Sequence, residues 1–172
     1  MQANDYDGFG AAYSADNEVN LMNAHYERPA VLDLLGDVRG HRVLDAGCGS
    51  GPLMAAMRDR GAVVTGFDSS AVMVALAEER LGADADVRVA DLSAPLPFAD
   101  GAFDDVTASL VLHYLRDWTA PLAELRRVLR PGGRLVLSVN HPLLYKMLHP
   151  QADYFALTEW TDENVFLSLI HI

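Results

Sequence analysis

The chain has 172 residues, with 24 acidic against 13 basic side chains and a formal net charge of −11. So acidic a surface repels phosphate backbones, which sets nucleic acid aside as a partner. A single cysteine sets aside an internal disulfide, and no apolar run reaches the ~20 residues that span a bilayer. With 51% apolar and 22% charged residues, the expectation is one soluble globular domain. The polar, acidic first ten residues are unlike a signal peptide, so the expected location is cytoplasmic.

Asn17 can cap a helix predicted over 18–35, where Val19, Met22, Tyr26, Ala30 and Leu34 recur at helical spacing and Gly36 ends the run. Pro29 inside that pattern predicts a kink, or a break into two helices, near Arg28. A first strand is expected over 42–45, then a helix from Pro52 to Arg60 stopped by Gly61, then a buried strand over 63–67. Ser69 can cap the next helix, on which Val72, Met73, Leu76 and Ala77 share a face. A third strand covers 87–90, and the two prolines of 94–101 make that stretch a loop. A fourth strand covers 106–110. A helix opens at Pro121 with Leu122, Leu125, Val128 and Leu129 on one side. Pro131-Gly132-Gly133 is a turn, and 135–139 a fifth strand.

This alternation of apolar strands and helices predicts an α/β fold, a doubly wound and mostly parallel sheet with helices on both faces. In such a sheet the loops after the strands' carboxyl ends lie on one edge, where ligands bind. Residues 45–51, 68–70, 90–92, 109–114 and 140–142 all fall there.

The densest signal is Val43-Leu44-Asp45-Ala46-Gly47-Cys48-Gly49-Ser50-Gly51, followed by Pro52. Alternate glycines let the backbone turn sharply and approach a ligand with no Cβ in the way. Pro52 suits the first position of a helix. A dinucleotide fingerprint needs a third glycine where Pro52 stands, and Asp45 just ahead of the loop would repel a pyrophosphate. An NAD-dependent oxidoreductase is therefore disfavoured. Asp68, ending the second strand, is placed to accept from two ribose hydroxyls, and Asp91, ending the third, from an exocyclic amine. Acids around a glycine loop describe a cationic adenosyl ligand without phosphates, S-adenosylmethionine.

With those residues in view, the chain resembles the class I, Rossmann-like S-adenosylmethionine-dependent methyltransferases of the small-molecule type. Residues 43–51 resemble the family's first motif and 64–70 its acidic second strand. Ala90-Asp91-Leu92, with Leu96-Pro97-Phe98 and Phe103-Asp104 after it, resembles the adenine segment and fourth strand. Leu129-Arg130-Pro131-Gly132-Gly133-Arg134-Leu135 resembles the turn before strand five. The resemblance implies that Gly47, Gly49 and Gly51 lie under the cofactor, with Asp45 near its amino end. It implies that Asp68 holds the ribose, Ser69 and Met73 flank the adenine, Asp91 meets the adenine amine, and the Leu92 N–H meets a ring nitrogen. Ser109, on the ligand edge, joins the cofactor set; Cys48 sits in the loop as small filler. Asp91 has a second reading, as the cap of a turn, and so has Asp68, as a helix cap.

Methyl transfer needs a base only if the acceptor loses a proton, and His113 and His141, both just beyond strands, are the candidates for base or acceptor lining. No histidine spacing suggests a metal site. Tyr6 and Tyr13 lie in an aromatic-rich N-terminal stretch, which in similar proteins folds over the cofactor as a lid. The expected organisation is one domain: a helical lid over 1–40, a cofactor-binding core over 41–140, and an incomplete acceptor region over 141–172. Tyr154, Phe155 and Trp160 could wall the acceptor pocket. Twelve of the thirteen basic residues are arginine and isoleucine is absent before Ile170, so the tail 167–172 does not match the rest and is expected to be foreign to a longer natural chain. The other reading of function is a cofactor-binding protein or fragment without catalysis. Nothing in these residues separates O-, N-, C- or S-methylation or sets the oligomeric state.

Overall fold

A computed structural model describes residues 10–141, 143–151 and 153. The chain divides into two compact units, residues 1–139 and 140–172. The first is built on a five-stranded sheet of β1 (Arg42–Ala46), β2 (Val63–Asp68), β3 (Asp86–Val89), β4 (Phe103–Ser109) and β5 (Leu129–Ser138). The order is β3-β2-β1-β4-β5 and every pairing is parallel. The switch from β1–β2 to β1–β4 puts the topological reversal beside the carboxyl end of β1, where the glycine loop begins.

Strand alternation sends neighbouring side chains to opposite faces. Val43 and Val64 join Leu35, Met54 and Met57 under α2 (Arg28–Leu35) and α3 (Pro52–Asp59). Leu44, Phe67 and Val106 join Leu112, Leu125 and Val128 under α5 (Thr119–Val128). Burying each of these large side chains contributes roughly 1.5–3 kcal/mol. Phe98 bridges Phe67 and Phe103, edge-on to the latter with centroids 5.3 Å apart.

Three expectations from the sequence need correction. The helix predicted over 18–35 is two segments, a π-helical segment Leu21–Glu27 and α2, and a separate helix, α1 (Gly10–Asn17), precedes them. Asn17 ends a helix, and the cap is Asn20, whose side chain accepts the Asn23 N–H at 2.6 Å. The break near Arg28 is where Pro29 placed it. Because the middle segment is not α-helical, the 3.6-residue phase is lost: Val19, Met22, Tyr26 and Leu34 are exposed, while Val31, Leu32 and Leu35 are buried. The cap of α4 (Ala71–Leu81) is Ser70, accepting from the Met73 N–H, and not Ser69. Pro131-Gly132-Gly133 turns within β5, which starts six residues earlier than predicted. Its register to β4 jumps between the pairs Phe103–Leu129 and Asp105–Arg134, and the extra residues loop out there.

In the second unit, α6 (Leu143–Leu148) is a short helix; Lys146 Nζ donates to the Pro150 carbonyl at 2.6 Å. Tyr6, Tyr154, Phe155, Trp160 and the tail 167–172 lie outside the described residues.

Candidate functional site

The glycine loop is strapped to the end of β2. The N–H groups of Gly47 and Cys48 both donate to the Phe67 carbonyl at 2.9 Å, and Gly49 N–H donates to Asp68 Oδ2 at 2.9 Å. Gly47 has φ +70°, and a Cβ there would stand 2.5 Å from the Val111 side chain. Gly49 has φ +53° and open space where its Cβ would be. The first glycine thus lets the chain after β4 press on the loop, and the second leaves room for a ligand against bare backbone. Gly51 precedes α3 as its N-cap. Cys48 is buried, and burial above all pushes its thiol well up, so it is filler and no nucleophile.

Asp45 is 1% exposed, with Thr107 Oγ1 donating to it at 2.6 Å. Burial, the largest cause, pushes its pKa up to about 7; the Thr107 hydrogen bond opposes this, and the negative charges of Glu27 and Asp68 add to it. Asp68 Oδ1 accepts the Ser70 N–H at 2.9 Å, so this carboxylate ties together the glycine loop and the start of α4.

The N-terminal segments close over this edge. Ser14 of α1 bonds Ser50 of the loop at 2.8 Å, hydroxyl to hydroxyl, and Arg80 of α4 donates to the Ser50 carbonyl at 2.7 Å while pairing with Glu18. Tyr13 is raised to about 12, first by burial, then by neighbouring Tyr114, with Asp68 and Glu27 contributing, which places its phenol among the acids of the edge. Glu27, at the end of the π-helical segment, is a residue that sequence reasoning missed. Its Oε1 accepts the hydroxyls of Ser109 (β4) and Ser138 (β5), each at 2.6 Å. Among the described residues neither Asp45 nor Glu27 forms an ion pair; hydroxyl groups hold both.

A protein-family model described as a methyltransferase domain matches residues 44–137, more than half of the chain. The chain belongs to that methyltransferase-domain family. Demethylmenaquinone methyltransferase of Beutenbergia cavernae is 41% identical over 134 residues, covering 77% of this chain and 55% of that protein. Malonyl-[acyl-carrier protein] O-methyltransferase of Pseudescherichia vulneris is 38% identical over 74% of this chain and 49% of that protein. A crystal structure of an S-adenosylmethionine-dependent methyltransferase from Mesorhizobium loti superposes with a TM-score of 0.61 at 36% identity, covering 67% of this chain and 54% of that one. The chain spans about half the length of the curated relatives it matches. The cofactor of this methyltransferase domain is S-adenosylmethionine, and the residues present fit it. The bare Gly49 backbone, the buried acid Asp45 and the carboxylate of Asp68 stand at one sheet edge.

The remaining sequence-predicted residues of the methyltransferase domain are placed as follows. Ser69 is exposed in the turn between β2 and α4. Met73 is 1% exposed, packed beneath α1 at Gly10. Asp91 is exposed and its Oδ1 accepts the Ser93 N–H at 2.8 Å as a turn cap, and Leu92 is buried in the second core cluster. His113 sits in the short 3₁₀ segment Leu112–Tyr114 with its ring 4.4 Å from that of Tyr114. Its buried Nδ1 has no partner among the described residues, and burial lowers its pKa. His141 belongs to the second unit, where its Nδ1 accepts the Leu143 N–H at 3.0 Å. Among the described residues no group of three His, Cys, Asp or Glu could hold a metal ion, and no helix is long and apolar enough to cross a membrane.

Proposed function

We propose that the protein moves a methyl group from S-adenosylmethionine to a small-molecule acceptor by in-line displacement, leaving S-adenosylhomocysteine. The observation that carries this reading is the pair of carboxylates, Asp45 and Glu27, which among the described residues are kept at the ligand edge by hydroxyls and not by cations. Such an edge favours a positively charged ligand and penalises phosphates. S-adenosylmethionine, when bound, supplies a methyl carbon already activated by a sulfonium, so the chain's task is to hold the reactants in line, a contribution of ~7–11 kcal/mol. Asp68 would accept the ribose hydroxyls, and Asp91 the adenine amine. Gly47, Gly49 and Gly51 would carry the methionine part, with Ser69, Met73 and Leu92 toward the adenine.

His113, neutral near pH 7 because burial disfavours its cation, is the proposed base where the acceptor must lose a proton. His141 is the second candidate. The small-molecule acceptor follows the relative named for demethylmenaquinone; the other relative above is named for a malonyl group on a carrier protein, so the shared core does not select one. Calorimetry with S-adenosylhomocysteine and with NAD tests the reading. Binding of the former and not of NAD is expected; the reverse would overturn it.

A further inference from the structure

Glu27 lies outside the glycine loop and outside the strands, yet it touches two strand ends. Thr107 and Ser109 are two residues apart on β4, so their hydroxyls project from the same face, about 7 Å apart along the strand. The first donates to Asp45 and the second to Glu27. Ser138, at the end of β5, donates to the same Glu27 oxygen and accepts the Leu110 N–H at 3.1 Å. Leu110 has φ +51°, an uncommon conformation for leucine, at the turn that brings Val111 onto Gly47. One carboxylate therefore fastens the N-terminal lid to β4 and β5 and supports the turn that packs on the glycine loop.

We propose that Glu27 is a charge-reading latch, a positioning residue that closes the lid more firmly over the positively charged S-adenosylmethionine than over its neutral product. This rests on the methyltransferase reading above. The reason is linkage. Asp45 belongs to the core, whereas Glu27 arrives with the lid; because Thr107 holds Asp45 and Ser109, two residues along β4, holds Glu27, docking the lid brings a second carboxylate to the same edge. Positive charge at the edge relieves that repulsion, and a ligand carrying a sulfonium besides its ammonium relieves it most. A ligand that interacts better with the docked lid shifts the equilibrium toward it, in proportion to its differential affinity. After methyl transfer the sulfonium has become a thioether, so of the ligand's two positive charges only the ammonium remains, and the latch loosens on the product.

The test is calorimetry on the full chain with S-adenosylmethionine and S-adenosylhomocysteine, for the unaltered protein, Glu27→Gln, and Ser109→Ala with Ser138→Ala. Glu27→Gln keeps hydrogen-bonding capacity but removes the charge. It is expected to weaken S-adenosylmethionine by about tenfold more than S-adenosylhomocysteine, the scale of one nearby charge in a partly buried site. The serine pair keeps the charge and loosens its seat, so it should weaken both ligands while preserving more of the preference between them. Equal losses for both ligands in Glu27→Gln, or no loss, would overturn the latch. An unaltered protein that binds neither ligand would instead sink the methyltransferase reading itself. Should Glu27→Gln melt at a lower temperature, Glu27→Asp decides: regained preference for the cation supports the latch, and its continued absence counts against it.

Discussion

Asp45 and Asp105 are each 1% exposed, on adjacent strands of one sheet, and their chemistry is opposite. At the amino edge Asp105 accepts from Arg134 Nε and His41 Nδ1, both at 2.7 Å; burial pushes its pKa up, but these partners outweigh it and hold the carboxyl below the usual range. Its neighbour Asp104 accepts from the Arg42 and Arg130 side chains and the Arg42 N–H, and falls to about 2. At the carboxyl edge burial, with two acids adding to it and only a threonine hydroxyl opposing, raises Asp45 to about 7. A carboxylate already supplied with cations is a structural part. One left without them holds its demand for positive charge in reserve for a ligand, which is what separates the working edge of this sheet from the scaffolding edge.

The comparison breaks most visibly under neutralising substitutions. Asp105→Asn leaves the Arg134 and His41 side chains without their acid and is expected to lower the unfolding free energy by about 3 kcal/mol, measured in urea. Asp45→Asn at pH 8 should leave stability unchanged or raise it, because a buried charge is removed. Two equal losses would erase the distinction between the edges.

Next comes pH. The Asp45 carboxyl is raised from 3.8 to about 7 in the fold, so between those values the native state holds a proton that the unfolded chain has released. Its contribution is full below about 4 and is lost as pH rises toward 7, at up to about 1.4 kcal/mol per pH unit. Subtracting the pH–stability profile of Asp45→Asn from that of the unaltered protein, without added ligand, should reveal that slope; Asp105, whose pKa is lowered, has the opposite sign and loses its contribution as pH falls. Asp68→Ala should weaken S-adenosylhomocysteine binding by about 1.5–3 kcal/mol, the usual worth of a hydrogen bond to a charged group. The smallest effect concerns Cys48: at pH 8 the native thiol should react with an aromatic disulfide far more slowly than the urea-unfolded chain does.

Most of the fold was legible because the strands are apolar runs bounded by glycine, proline or aspartate, and burial on both faces makes such runs unambiguous. The carboxyl-edge loops followed from parallel pairing alone. The glycine loop and Asp68 stood out because backbone geometry and an acid at a strand end leave local marks. Glu27 left none. It reads as one more charged residue on a helix ahead of Pro29, and as the N-cap of α2 it would be counted as a dipole partner. In fact its side chain makes no cap bond, and it is met by serines 82 and 111 residues away. The amino-edge arginines were silent for the same reason, since pairing across strands depends on register. The apolar stripe of the first predicted helix misled because its period was taken as constant.

That change of period has a consequence of its own. A π-helical segment holds more residues per turn than an α-helix of equal rise, so it acts as an inserted residue absorbed without a loop. Deleting one residue between Leu21 and Tyr26 would let the segment relax to an α-helix and turn everything upstream by roughly 100° relative to Glu27. Ser14 would then miss Ser50 while Glu27 kept its two serines. The N-terminal segment is thus attached at two points whose relative azimuth is set by a single residue of slack. A one-residue deletion could detach the α1 end from the glycine loop without altering any residue that touches it.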